Sequence, residues 1–331
     1  MSTDTETIKK IGDARDKIAQ ELRKSIVGME SVIDEMMIAI FAQGHVLLVG
    51  VPGLAKTLLV SSISKTLSLG FKRIQFTPDL MPSDITGTEV LQEDPETHER
   101  KFKFLEGPVF TNLLLADEIN RTPPKTQAAL LEAMQEKRIT SGGADYELAK
   151  PFFVLATQNP IEQEGTYALP EAQLDRFLFN IVVKYPSHQE EIDVMKNVTG
   201  VHQEEIQKVL DGEAIVEFQK LIKGIEVGDD IMEYAASLVR ATRPEEPEAP
   251  QFVKDYMGWG AGPRASLNLI MAGKSRAALR GRGRMTVEDI QALALPILRH
   301  RIIPNFAARS EGMNSDALIE RLLKEIPASG N

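Results

Sequence analysis

The chain has 331 residues, 43% hydrophobic and 26% charged, with a net charge of −10 and no cysteine. That length accommodates about two domains with a sizeable core, the composition is that of a soluble globular protein, and the apolar runs stop well short of the roughly 20 residues a membrane span needs. The lack of cysteine excludes disulfides, thiolate metal sites and cysteine nucleophiles; the opening MSTDTETIKK lacks the features of a secretory signal and points to the cytoplasm, and the acidic balance counts against nucleic acid as the main partner.

Along the chain, Ile8, Ile11, Ile18, Leu22 and Ile26 recur at helical spacing. HVLLVG from His45 reads as a strand feeding a loop; Leu58, Leu59, Ile63 and Leu67 then mark a helix with Gly70 as its C-cap. RIQF at Arg73, NLLLAD at Asn112, FFVLAT at Phe152 and FNIVV at Phe179 alternate with helical stretches, as buried strands of a parallel sheet do. GTEVLQEDPETHERKFKF from Gly87 and RITSGGADYELAKPF from Arg138 read as β-hairpins. Beyond about Tyr185 strand signals stop, and helical spacing takes over at 188–198, 214–222, 230–240, 264–279 and 287–299, with RPEEPEAP from Arg243 as a loop between helices. The expected fold class is α/β, a doubly wound parallel sheet over 1–184 followed by a helical domain over 185–331, with no internal repeat.

GVPGLAKT, Gly50 to Thr57, approaches the phosphate-loop pattern G-x-x-x-x-G-K-[ST], with Ala55 where the pattern has glycine. Such a loop cradles phosphates with backbone N–H groups and a helix N-terminus, while Lys56 reaches the terminal phosphates and Thr57 ligates Mg²⁺. A right-handed Ala55 costs little; a strand-to-helix turn with no ligand is the alternative. LLLADEIN delivers Asp117 and Glu118 at a strand's carboxyl end, where ligands sit in open α/β sheets. Asp117 suits Mg²⁺ and Glu118 an attacking water, although the same pair also suits a helix N-cap. FFVLATQNP ends with Gln158 and Asn159, which either position water near a γ-phosphate or form an Asn-Pro turn. Pro263 is a good first helical residue, so Arg264 falls in a first turn, where the helix dipole calls for an anion, either a phosphate or an acidic side chain. The basic run KSRAALRGRGR from Lys274 has no interleaved aromatics, so it closes a helix or packs on a neighbour rather than binding nucleic acid.

In that order the loop, LLLADEIN, ATQNP, LPEAQLDRF from Leu169 and GAGPRAS from Gly260 resemble an AAA+ ATPase of the MoxR family over nearly the whole chain. IVGMESVIDEMMIAIFAQG from Ile26, RIQFTPDLMPSDITG from Arg73, EGPVF at Glu106 and LRHRI at Leu298 fit the same family, and its loops resemble GVPGLAKT, so Ala55 is a family variant. The resemblance implies a P-loop AAA+ domain with a C-terminal all-helical lid, using ATP and Mg²⁺. It implies nucleotide contacts from Val27, Gly28, Gly50, Val51, Pro52, Gly53, Leu54, Ala55, Lys56, Thr57, Leu58 and Asp117, with Thr57 and Asp117 at the metal and Lys56 and Glu118 catalytic. Asn159 becomes the γ-phosphate sensor, Arg264 a second sensor on the lid, and Arg176 an arginine finger entering a neighbour's site unless it pairs with Asp175 or Glu171. These groups, from Lys56 to Arg264, are expected to converge on one triphosphate. A finger requires a homo-oligomer, in this family a hexameric ring, and the resemblance further implies chaperone-like maturation or metal-cofactor insertion with a von Willebrand factor A domain partner. The hairpins then face the ring's opening or are ordinary surface hairpins. Two other classes stand beside this reading: a nucleotide-regulated assembly module with negligible turnover, and a DNA motor, which the acidic balance disfavours.

Overall fold

The computed structural model describes residues 5–51, 53–93, 98, 100–160, 165–199 and 204–326. Helices α1 (Thr5–Arg23) and α2 (Glu30–Phe41) precede β1 (Val46–Val49), α3 (Lys56–Thr66), β2 (Phe71–Gln75) and α4 (Pro82–Thr86). There follow a hairpin of β3 (Gly87–Glu93) and β4 (Arg100–Glu106), then β5 (Leu113–Asp117), α5 (Pro124–Glu136), a second hairpin of β6 (Arg138–Ser141) and β7 (Ala144–Glu147), β8 (Phe153–Gln158), α6 (Glu171–Leu174) and β9 (Phe179–Val182). Strands β2, β5, β8, β1 and β9 lie side by side in that order, every neighbouring pair parallel.

Both faces of this sheet are covered, which explains why its strands are continuous apolar runs. Leu113, Leu115, Val46 and Leu48 point into one core, and Leu114, Ala116 and Leu47 into the other, as a period of two requires. Helix α3 ends earlier than its spacing suggests. Its C-cap is Leu67, and Ser68 rather than Gly70 takes the left-handed position (φ 48°), with the Leu69 N–H closing back on the Ser64 carbonyl.

The rest of the chain is α7 (His188–Thr199), α8 (Gly212–Lys223), α9 (Asp229–Arg240), α10 (Gln251–Tyr256), β10 (Met257–Trp259), α11 (Pro263–Leu279), α12 (Val287–Leu298), β11 (Ile303–Pro304), α13 (Phe306–Ser310) and α14 (Ser315–Glu325). Strand structure therefore does not stop at Tyr185, because β10 and β11 form a short antiparallel pair among these helices. One core continues from the sheet through α1 and α2 into α11 and α12. The helices approach closely: a Cβ on Gly12 of α1 would sit 3.2 Å from the Gly281 nitrogen, and Ser275 of α11 donates to the Ile38 carbonyl of α2 at 2.9 Å.

LRHRI, one of the stretches that resemble the family, fastens this helical part to the sheet. Buried Arg301 donates to the Asp175 carboxylate at 2.7 Å and to the carbonyls of Asp175, Phe177, Leu178 and Ile297. Arg299 reaches the Asn180 carbonyl at 2.6 Å and pairs with Asp316. The basic run is likewise engaged internally: Arg276 and Arg282 hold the fully buried Asp289, and Arg280 reaches Asp34 on α2. Burial opposes ionisation of Asp289, but hydrogen bonds from Arg282, the Thr286 N–H and Arg276 hold its carboxyl below the usual range. Among the described residues, no helix is long and apolar enough to cross a membrane.

His45, just before β1, is buried with Nδ1 accepting from the Val154 N–H at 3.0 Å and Nε2 3.2 Å from the Met134 carbonyl. Those partners suit a neutral ring, and burial pushes its pKa down to about 4. An unfolded histidine takes its proton near pH 6.5, so the unfolded chain binds more protons between the two values and stability falls with falling pH across that window, by about 1.4 kcal/mol per pH unit. Buried His300, likewise held below its ordinary value, adds to this slope and Glu35, raised to about 7 by burial, opposes it, so the test is a difference: urea unfolding from pH 7 to 5.5 should give a slope lower by about 1.4 kcal/mol per pH unit in His45→Gln, which keeps one donor and one acceptor, than in the wild type, and equal slopes would remove His45 from the acid sensitivity.

Candidate functional site

The carboxyl ends of β1, β5 and β8 open on one cavity of ≈ 400 Å³ that Gly53, Leu54, Ala55, Lys56, Thr57, Arg73, Gln75, Asp117, Glu118, Thr157 and Asn159 line. Five residues singled out by separate motifs, Lys56, Thr57, Asp117, Glu118 and Asn159, thus meet in one place. Val27, Gly28, Gly50, Val51 and Leu58 do not line it. Gly28, left-handed at φ 72°, abuts Glu190; Gly50 abuts Val183; Leu58 is exposed. Pro52 lies outside the described residues.

The loop turns sharply before α3, and Ala55 is left-handed (φ 49°, ψ 24°). The right-handed conformation under which a methyl group is harmless is therefore not the one present, and the substitution carries about 1 kcal/mol of backbone strain. The Lys56 ammonium hydrogen-bonds the Gly50 carbonyl at the loop's start. Burial lowers the Lys56 pKa, while Asp117 and Glu118 act to raise it, so its charge is set between the loop and the two acids.

Those acids are individually held. Thr157 Oγ1 donates to Asp117 Oδ1 at 2.6 Å and accepts from the Glu118 N–H at 2.8 Å. Arg73 donates to Asp117 Oδ2 from Nε at 3.1 Å and from Nη2 at 2.7 Å, and the same Nη2 reaches Gln75 Oε1 at 2.7 Å. Gln75 Nε2 in turn donates to Glu118 Oε2 at 2.7 Å, an oxygen that also accepts from Arg121 at 2.9 Å. Glu118 itself is left-handed (φ 58°), a strained backbone fixed by these contacts. Sequence reasoning missed Arg73, Gln75 and Thr157. The first two stand two apart on β2 and so share a face, a signal that was available; Thr157 faces the cavity and Gln158 does not, a one-residue offset that only strand register decides.

The two arginines lie elsewhere. Arg176 and Arg264 line a second recess with Gly44, His45, Lys137, Asp175 and Leu178. Gly44 and His45 precede β1 and Leu178 precedes β9, so this recess sits at the amino ends of the strands, a strand's length of about 15 Å from the loop. Arg264 therefore does not meet the phosphates expected at Lys56 of its own chain, and the anion at its helix start is Asp175, 3.5 Å away. Asp175 is held mainly by Arg301, and Arg176 makes no ion pair among the described residues.

One hydroxyl and two carboxylates beside a lysine and the first turn of α3 suit Mg²⁺ bound with phosphates, which needs only one or two protein carboxylates. Among the described residues no group of three or more His, Cys, Asp or Glu side chains is placed to hold a metal ion without such help. Comparison with known proteins agrees. The family model described as ATPase family associated with various cellular activities (AAA) matches residues 45–179, and that for the AAA lid domain matches 250–322. The chain is 40% identical over 306 residues to Chaperone MoxR1 of Mycobacterium tuberculosis (92% of this chain, 80% of that one) and 41% identical over 311 residues to the uncharacterized protein YeaC of Bacillus subtilis (94% and 93%). A crystal structure of a candidate ATPase from Cytophaga hutchinsonii superposes with a TM-score of 0.90 at 41% identity, covering 98% of both chains.

The strain at Ala55 gives a signed test. Ala55→Gly should raise global stability by up to about 1 kcal/mol in urea unfolding, since glycine is unstrained there; a loss of about 0.5–1 kcal/mol, the usual cost of glycine, would show the residue to be right-handed.

Proposed function

Because the chain belongs to the MoxR family of AAA+ ATPases, we propose that it hydrolyses ATP in the cavity at the carboxyl ends of β1, β5 and β8. The observation that carries this reading is the meeting of Lys56, Thr57, Asp117, Glu118 and Asn159 around one space. The N–H groups of the loop and of the start of α3 bind the phosphates, and Lys56 turns from the Gly50 carbonyl to the terminal ones. Bound Mg²⁺ supplies charge neutralisation between phosphates, with Thr57 and, through water, Asp117 as its protein partners. Glu118 orients a water and accepts its proton, and Asn159 fixes the position of that water against the γ-phosphate.

The second recess faces away from this site, so Arg176 and Arg264 act on the nucleotide of a neighbouring subunit, where two guanidinium groups offset charge on the transferring phosphoryl. A closed homo-oligomer, in our reading a hexameric ring in the cytoplasm, gives each cavity such a neighbour. Hydrolysis then alters subunit contacts and drives chaperone-like remodelling, including maturation or metal-cofactor insertion of partner complexes, with a von Willebrand factor A domain protein as adaptor. The two hairpins are the client-facing elements: Phe104 stacks on Tyr146 between them with ring centroids 4.1 Å apart, and Phe102 beyond it is 74% exposed.

Glu118→Gln should lower steady-state phosphate release by about 10²- to 10⁴-fold while nucleotide affinity stays within a few-fold; an unaltered rate removes Glu118 from the mechanism. Arg176→Ala should also be nearly inactive alone. Mixing it with Glu118→Gln should restore hydrolysis, because an intact cavity then meets an intact arginine across a subunit boundary. Recovery at no mixing ratio would place Arg176 within its own chain's chemistry.

A further inference from the structure

Arg73 stands on β2, the edge strand of the sheet, and no phosphate-loop pattern singles it out. Its guanidinium lines the same cavity as Lys56 and directs two donors at a single oxygen of Asp117, while Thr157 satisfies the other. Both oxygens of Asp117 thus accept from a neighbour, and Oδ2 takes both of its donors from Arg73. Arg73 is the cation that pairs directly with the Asp117 carboxylate, which is 17% exposed at the end of β5. The pair is also weak by construction. The arginine side chain is 46% exposed, and an ion pair in such a setting contributes about 0.2–1 kcal/mol, so a divalent ion carried in with phosphates displaces it readily.

We propose that Arg73 is a placeholder for the metal: it holds Asp117 in the nucleotide-free protein and is displaced when Mg²⁺ arrives with the nucleotide. This rests on the nucleotide reading of the cavity. The displacement has a second consequence, because the Nη2 that leaves Asp117 also anchors Gln75 Oε1, and Gln75 holds the Glu118 carboxylate. Arrival of the metal therefore loosens the contact that keeps the base turned toward β2, and Arg73 acts as a positioning residue through Asp117 and Gln75. The freed guanidinium remains in the phosphate cavity, where it meets the new negative charge.

The test is calorimetric titration of ADP into the full chain, once with Mg²⁺ and once with EDTA, for the wild type, Arg73→Met, Arg73→Lys, Asp117→Asn and the Arg73→Met/Asp117→Asn double variant. Without Arg73, uncovered Asp117 repels metal-free ADP and receives Mg²⁺ without competition, so the ratio of the two affinities should rise about two- to fivefold in Arg73→Met. Arg73→Lys, which keeps the charge, should stay near the wild-type ratio. In the Asp117→Asn background, Arg73→Met should leave the ratio unchanged, which isolates the pairwise interaction from any general effect on the sheet. A ratio that is unaltered or lower in Arg73→Met, or that rises equally without Asp117, overturns the proposal while leaving the nucleotide site intact. Absence of heat from the wild type removes the nucleotide reading itself and this inference with it.

Discussion

Asp117 leaves the sheet after four fully buried apolar residues, Leu113 to Ala116, and its carboxylate takes its hydrogen bonds from side chains on other strands. Thr157 comes from β8 on one side and Arg73 from β2 on the other, which is possible only because β5 lies between them in the sheet. The parallel order therefore does more than bury Leu and Val. It brings the end of each strand alongside the next, so that one hydroxyl serves Asp117 and the Glu118 N–H together and one glutamine holds the Glu118 carboxylate. Removing any of these groups changes how the acids meet a cation before it changes the core.

The sheet has a second end, and there the requirement is met differently. Asp175, Phe177 and Leu178 present a carboxylate and three carbonyls to one buried guanidinium, that of Arg301. Burial acts to lower the Arg301 pKa and Asp175 to raise it, so this arginine is fully engaged in holding α12 to β9. With Asp175 committed in this way, Arg176, which makes no ion pair among the described residues, lies beside Arg264 in the recess. Two guanidinium groups thus share one recess with Asp175, which pairs with Arg264 at 3.5 Å but more closely with Arg301 at 2.7 Å. Acids and a lysine thus gather at one end of the sheet and arginines at the other.

The strands were legible in the sequence because burial on both faces writes itself as an uninterrupted run, and LLLAD and FVLATQ reach the structure as strands. The cavity was legible for a related reason, since motifs at strand ends are local and the sheet aligns those ends. What escaped was set by distance along the chain. Asp175 is 89 residues from Arg264 and 126 from Arg301, and no local spacing tells which cation it takes. The basic run from Lys274 reads as closing a helix or packing on a neighbour until Asp289 and Asp34 are seen beneath it. Ala55 and Ser68 escaped for the opposite reason. Each adopts a backbone conformation that its own residue type disfavours, so local propensity pointed away from the turn that tertiary contacts enforce.

How chemistry at one end can reach the helical part follows from α1 and α2. They lie between the sheet and α11, sharing one core with both, and Ser275 and Arg280 of the helical part reach the Ile38 carbonyl and Asp34 of α2. The loop, by contrast, touches this core only lightly: Leu54 is partly buried against it, and Ala55 is held under strain. A strained loop on a stiff base relaxes when phosphates take its N–H groups, and close packing transmits small shifts rather than absorbing them. Arg264 begins α11, so any tilt of that helix against α2 moves the recess that Arg264 lines together with Arg176.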